Sequence, residues 1–329
     1  MYQNKRVLVT GGTGMVGQPL VKKLLERGAT VHIASMDAVA RCPVGATFWM
    51  GNLMNPDFCR NIVQGMDYVF HVAGIKGSVS LGKKRAASFF TPIILMNTNM
   101  MDAAYRAGVE RYLYTSSVGV YPPADVFNED DAWKGEPYEV DRYAGWAKRM
   151  GELQAEAYAL EYGWNNITIV RPTNIYGPYD NFDPATAMVI PALIARIAAG
   201  ENPLVVWGDG SPVRDFLYAD DCADGMLLAM ERGSGGTFNL GGNHRTSIKE
   251  IATMINNCFG GKTELVFDAS KQSGQAVRVV NTLRAMNHLG FLPAHTIGMG
   301  ITNTVLWYLE NKLEGVRRYN VFNEKAFLT

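Results

Sequence analysis

Tyr143 and Lys148 are the residues of this 329-residue chain whose types first suggest chemistry. They stand in "YAGWAK", at the head of the helical stretch "AKRMGELQAEAYALEYG". A tyrosine and a lysine four apart on a helix share one face and can act as one proton-transfer unit, the ammonium lowering the phenol pKa. Here they are five apart, and the position for the phenol is Ala144. On a regular helix Tyr143 is turned about 100° from that position. Three readings stand. The first turn, with Gly145, deviates and returns Tyr143 to the site; or position 144 is vacated, and Ser117, a water or a substrate group handles the proton; or Tyr143 is an exposed helix-start aromatic.

A second constellation lies at the other end of the chain. "RVLVT" (6–10) reads as a buried strand and runs into "GGTGMVG", with Gly11, Gly14 and Gly17 spaced GxxGxxG at the head of an amphipathic helix. A turn this tight needs positive φ, and a Cβ at its centre would keep a pyrophosphate from the helix N-terminus. Directly after a strand, this spacing predicts a dinucleotide site built from Gly11, Thr13, Gly14, Met15, Val16 and Gly17. The ribose reader falls about 20 residues on, at the end of the second strand. There Ser35 holds the usual acidic position and Asp37 follows two later. Asp37 suits ribose hydroxyls and repels a 2′-phosphate, while Arg41 is the nearby cation that would favour one. The expectation is NAD, with NADP not excluded. Asn52 and Leu53 of "GNL" suit the adenine edge, and Ala73 of "HVAG" leaves room for the cofactor.

These groups need an α/β frame. Strand-like runs recur at 30–34, 46–50, 67–73, 111–117 and 166–172, with helical segments near 15–27, 57–64, 92–107 and 141–162. That alternation predicts a doubly wound parallel sheet of Rossmann type over residues 1–172. Beyond Pro172 the chain becomes turn-rich, with helices near 187–199, 220–231, 247–259 and 299–311. Residues 173–329 form a smaller, interleaved α/β substrate lobe, and a strand at 236–240 returns to the first sheet. Lys+Arg and Asp+Glu balance at 31 each, so no global charge favours nucleic acid or an acidic membrane. No run approaches the roughly 18 apolar residues of a membrane span. Cys42, Cys59, Cys222 and Cys258 are widely spaced, which suits reduced thiols in the cytoplasm better than a disulfide framework or metal site.

With "GGTGMVG", "HVAG", "TSSVGVYPP", "YAGWAK", "RPTNIYGPYDNFDP", "VVWGDGSPVRDFLYADDCADGM" and "FNLGG", the chain resembles the extended short-chain dehydrogenases/reductases of the nucleotide-sugar epimerase/dehydratase group. The resemblance covers nearly the whole chain, and the run from "RPTNIYG" to "VRDF" most resembles the GDP-fucose-synthase branch. It implies that Ser117 binds the reacting sugar hydroxyl and that Lys148 holds the nicotinamide ribose and activates the tyrosine. It also implies that Pro172 lies at the cofactor. Dehydratases carry Asp-Glu where this chain has Val118 and Gly119, so dehydration is disfavoured. GDP-fucose synthases carry a proton-exchanging Cys and His at Gly119 and Met188; Arg196 is retained. The resemblance therefore does not extend to that branch's epimerisation step.

Asn174, at the end of the sixth strand, can bond a sugar hydroxyl. Arg214 and Arg278 can clamp a diphosphate, and Trp207 can stack on the base. Either role competes with a bland one: a loop-capping Asn, surface arginines, a packing Trp. His71 reads as a satisfied core histidine, and Asp220 and Asp221 as helix caps. The leading expectation is an NAD(P)-dependent oxidoreductase moving hydride at C4 of a nucleotide-diphosphate sugar, with GDP-sugars foremost. An epimerase-reductase of the GDP-fucose-synthase type and a catalytically weak binding protein are the alternatives. In such proteins the helices at 92–107 and 141–162 pair into a four-helix bundle, so a homodimer is expected, with Met96, Met100, Met101, Leu153 and Tyr158 as the free apolar positions.

Overall fold

The computed structural model describes residues 1–77, 82, 84–271, 275–312 and 319. Seven parallel strands form the central sheet: β1 (Arg6–Thr10), β2 (Thr30–Ser35), β3 (Thr47–Met50), β4 (Tyr68–His71), β5 (Arg111–Thr115), β6 (Ile167–Pro172) and β7 (Thr237–Leu240). Their spatial order is β7-β6-β5-β4-β1-β2-β3. The order reverses between β1 and β4, and at such a switch point the carboxyl ends of the strands open a ligand crevice.

Strand side chains alternate between faces, so a sheet covered on both sides reads as a continuous apolar run. In β1, Val7 and Val9 join Leu20, Val21 and Leu24 of α1 (Gly17–Glu26) and Cys222 and Met226, while Leu8 joins the opposite core with Cys59, Met100 and Met101. The second face is closed by α2 (Pro56–Ile62), α3 (Ala86–Arg106) and α4 (Arg142–Tyr162). The smaller lobe carries α5 (Val189–Ala198), α7 (Ile248–Cys258) and α9 (Ile297–Glu310) around Tyr176, Phe182, Ile194 and Ile251. α6 (Ala219–Arg232) and α8 (Leu283–Leu289) return to the first face of the main sheet. Interleaving runs both ways. β7 pairs with β6, and residues 126–127 pair with 279–280.

Several expectations need adjustment. α3 begins six residues before Pro92, which stands inside the helix rather than at its start. α8 is short, and its sequence "LRAMNHL" gave no periodic signal; Gly290, with φ +70°, ends it. Met96, Met100 and Met101 are not free for a partner, because all three are buried against the sheet. Tyr158 is half-buried and its hydroxyl donates to Asp102 at 2.8 Å; Leu95, Leu153 and Leu160 are exposed on these two helices, as are Tyr143 and Tyr162. Asp220 and Asp221 do not cap α6. Asp220 pairs with Lys23 at 3.0 Å, and Asp221 accepts from the Ala294 and His295 backbone. Among the described residues no helix is long and apolar enough to cross a membrane, and no cluster of three or more His, Cys, Asp or Glu is placed to hold a metal.

Candidate active site

The glycine turn leaves β1 at the switch point. Gly11 has φ +70°, and a Cβ there would stand 2.9 Å from the Ala73 Cα. At Gly17 a Cβ would meet the Gly11 carbonyl oxygen at 2.2 Å, so α1 can press on the turn only with glycine at that position. Gly14 donates its N–H back to the Gly11 carbonyl at 3.0 Å. Met15 and Val16 bury their side chains in the core, which leaves their backbone to the crevice. No acidic residue occupies the first turn of α1, so its positive end is open to an anion.

The glycine turn also aims the ribose reader. Thr13 donates its hydroxyl to Asp37 Oδ2 at 2.7 Å and lies 2.7 Å from Ser35 Oγ, which accepts the Asp37 N–H at 3.1 Å. Arg41 Nε stands 3.6 Å from the same carboxylate oxygen, and the Tyr319 N–H donates to the other at 2.8 Å. Arg41 therefore neutralises Asp37 instead of standing free for a 2′-phosphate. Asn52 uses its carbonyl oxygen to accept the Met54 N–H at 2.9 Å, and Leu53 is buried. Replacing Asp37 by alanine should narrow the preference for NAD over NADP in paired affinity measurements. Tighter binding of NADP by the wild type would show that the assignment is wrong.

His71 is fully buried in a chain of hydrogen bonds. Its Nε2 faces Asn97 Oδ1, an acceptor only, at 2.9 Å, so Nε2 carries the proton and Nδ1 accepts from Thr10 Oγ1 at 2.9 Å. Thr10 Oγ1 in turn accepts from the Val72 and Ala73 N–H groups, and Asn97 donates to Tyr114, which donates to the Lys148 carbonyl. Burial, with the Lys148 charge second, holds this imidazole down to about 3. It is a neutral spacer between the cofactor loop and α4.

Lys148 is buried, and its Nζ donates to the Thr115 carbonyl at 2.6 Å, near Gly74. Burial holds its ammonium down to about 8, against the opposing pull of Glu152 one turn on. Ser117 accepts the Gly119 N–H at 3.0 Å, and its own proton engages no acceptor among the described residues. Gly119, Ser117 and α4 are pressed together. A Cβ at Gly145 would meet the Gly119 carbonyl at 2.3 Å, so close approach, not a distorted turn, explains that glycine. The distortion considered for the first turn is absent: α4 is regular from Arg142. Tyr143 is 50% exposed, while Ala144 on the Lys148 face packs against Phe89 and Ile93.

The remaining predicted groups divide. Arg214 and Arg278 are register partners on adjacent parallel strands. A Cβ at Gly119 would stand 3.4 Å from Ser117 Oγ and 3.6 Å from Arg278 Nη2, so the arginine pair borders the Ser117 end of the crevice. Asn174 donates to the Asp215 carbonyl at 2.9 Å beside β6, whose last residue is the buried Pro172. Trp207 is 60% exposed, which excludes the buried packing role. Arg196, on α5, is gripped by Glu201 and donates to the Val205 carbonyl at 2.8 Å; the structure does not bring it to Ser117.

Sequence reasoning missed the polar raft beneath Lys148. Glu152 takes a bidentate pair from Arg171, at 2.9 and 2.6 Å, and a hydroxyl from Ser116; Arg171 also reaches Tyr121 and the Glu129 carbonyl. The signal was present, since Glu152 follows Lys148 at helical spacing four. Asp215, also missed, is buried, accepts N–H groups from Gly242 and His244, and makes no ion pair among the described residues. Burial pushes its carboxyl up to about 7, against those two N–H groups. A carboxyl raised in the fold contributes stability that is present below its ordinary value and lost as pH rises through about 7. Asp215→Asn should therefore raise the melting temperature relative to the wild type at about pH 8 and leave it near the wild-type value at about pH 4.

The doubly wound sheet, the glycine turn, and a buried lysine on the helix after the serine turn define a dinucleotide-dependent oxidoreductase site. Residues 7–241 match the NAD dependent epimerase/dehydratase family, and the chain belongs to it. "Probable GDP-L-fucose synthase 1" of Oryza sativa subsp. japonica is 30% identical, over 93% of this chain and 92% of its own. The UDP-glucose 4-epimerase of Thermotoga maritima, solved with UDP-glucose, superposes with a TM-score of 0.82 at 27% identity, covering 93% of this chain and 99% of that one. A GDP-L-fucose synthetase from Naegleria fowleri bound to NADP gives 0.79 at 26% identity, over 95% and 96%. The chain is an NAD(P)-dependent enzyme of this family.

Proposed function

We propose that this enzyme moves hydride at C4 of the sugar of a nucleotide-diphosphate sugar, with GDP-sugars first among the candidates. The observation that carries the reading is the grouping of the Ser117 hydroxyl and Arg278, the register partner of Arg214, around Gly119, with the Lys148 ammonium held at the Thr115 carbonyl two residues before Ser117 and near Gly74. The dinucleotide, when bound, accepts or returns the hydride. Lys148 and Asp37 hold its two riboses. Ser117 bonds the reacting sugar oxygen, Asn174 a further hydroxyl, the two arginines the diphosphate, and Trp207 offers a face to the base. Tyr143 takes the proton from the sugar oxygen, which requires the first turn of α4 to shift on binding. Gly119 and Met188 carry no titratable group, so a 3,5-epimerisation by side chains at these positions is not part of the proposal.

We propose a cytoplasmic location, a reading supported by four free cysteines. We also propose a homodimer through α3 and α4, supported by exposed Leu95, Leu153 and Leu160 on those helices. Sedimentation at micromolar concentration should give a dimer; a monomer counts against it.

The experiment for the reaction is a panel of GDP-, UDP-, dTDP- and CDP-sugars, each mixed with enzyme and NAD or NADP. Turnover with one nucleotide class is expected. Binding of cofactor with no turnover on any member would favour a cofactor- or sugar-sensing protein, the reading that Ala144 supports.

A further inference from the structure

Asp141 is the N-cap residue of α4. Aspartate at that position ordinarily accepts the N–H of the second or third helical residue. Asp141 makes no such bond. Its carboxylate turns to the smaller lobe, where Oδ2 stands 2.8 Å from Arg278 Nη1. The oxygen is buried, yet the contact is an ion pair without an aligned hydrogen bond. Arg278 lies beside Arg214, whose guanidinium donates to the Val213 carbonyl and makes no ion pair among the described residues. Burial, with the Arg278 charge second, holds Arg214 down to about 10. One carboxylate thus faces two guanidiniums, paired with Arg278 and attracting Arg214 only at longer range. This cluster adjoins the sugar side of the crevice, because the space above Gly119 is bounded by Ser117 Oγ, Asp141 Cβ and Arg278 Nη2, at 3.4, 3.5 and 3.6 Å from where a Cβ would stand.

We infer that Asp141 is an internal counter-anion, displaced from Arg278 by the diphosphate of the incoming nucleotide sugar, and that it thereby sets the affinity of the site. The inference rests on the reading of Arg214 and Arg278 as the diphosphate clamp. A diphosphate brings more than one negative charge and can meet a guanidinium fork through two oxygens, so it outcompetes a single misaligned carboxylate. It cannot do so at no cost. The guanidinium is available only in the fraction of molecules whose internal pair is open, and the apparent affinity falls by that fraction. Once displaced, Asp141 is free to accept the N–H of Tyr143 or Ala144, the second and third residues of α4, which no side chain caps.

Calorimetric titration of GDP and of UDP into the wild type, Asp141→Asn, Asp141→Ala and Arg278→Met tests this. Both Asp141 variants should bind the nucleoside diphosphates roughly tenfold more tightly, and Arg278→Met should bind them more weakly. Both Asp141 variants leave the Arg278 and Arg214 charges without their counter-anion, so a lowered melting temperature is expected, recovered on adding GDP. Arg278→Met weakening the binding while both Asp141 variants leave it unchanged or weaker would overturn the inference and leave the clamp standing. Unchanged binding by Arg278→Met would show that the clamp reading is itself wrong, and the inference would fall with it.

Discussion

Lys148→Met is expected to weaken NADH binding and to lower turnover by about 10²–10⁴-fold. The side chain is buried between β5 and the cofactor loop, and it commits one donor to the Thr115 carbonyl. An ammonium has three donors, so two remain for a ribose and for the electrostatic support of a nearby phenolate. Methionine keeps the length and the packing but supplies no donor or charge. The wild type should also show an alkaline limb. Burial holds this ammonium down to about 8, so the protonated fraction, and with it the rate, falls as pH rises through that value. An ordinary lysine would hold its charge until about pH 10. NADH affinity unchanged in Lys148→Met, or a flat rate profile up to about pH 10, would remove Lys148 from the site.

Tyr143→Phe is expected to reduce turnover by about 10²–10⁴-fold while leaving the affinity for cofactor and sugar near the wild type. The substitution deletes the hydroxyl alone from a ring that is already half exposed, so the fold has little to lose. A loss in kcat with KM intact marks an interaction made in the transition state rather than in binding. The structure sets a demanding condition on this result, because α4 is regular and Ala144 holds the inward position. Full turnover by Tyr143→Phe would make Tyr143 a bystander. Ala144→Tyr is then the informative variant, and a gain in rate would show that the site lacked a base.

Legibility from the sequence followed physical locality. The glycine turn and β1 were readable because backbone constraint and apolar runs are local properties: Gly11 and Gly17 stand where a Cβ would collide within the turn or with Ala73. The main-sheet strands were placed to within two residues, β7 included: inner strands buried on both faces read as continuous apolar runs, and the exposed edge strand β3 was legible from its β-branched and aromatic residues. Lys148 was legible as part of a motif. What pairs across long sequence separations was not. Asp141 meets Arg278 and Arg171 meets Glu152, and of these four the sequence singled out Arg278 alone, as a candidate diphosphate clamp. The methionines of α3 misled for a related reason: a helix packed on both a sheet and a second helix shows more apolar positions than one buried face requires. Gly145 was read as a source of flexibility, whereas its neighbour in space, the Gly119 carbonyl, requires it.

The most direct test of hydride transfer at the sugar C4 uses reduced cofactor carrying deuterium at the transferring position. Enzyme is incubated with that cofactor and a 4-keto nucleotide sugar of the class that turns over, and the product is analysed by mass spectrometry and NMR. One deuterium per product molecule is expected, located at C4, with the label lost from the cofactor. A product without deuterium, or with the label at another carbon, would contradict transfer at C4.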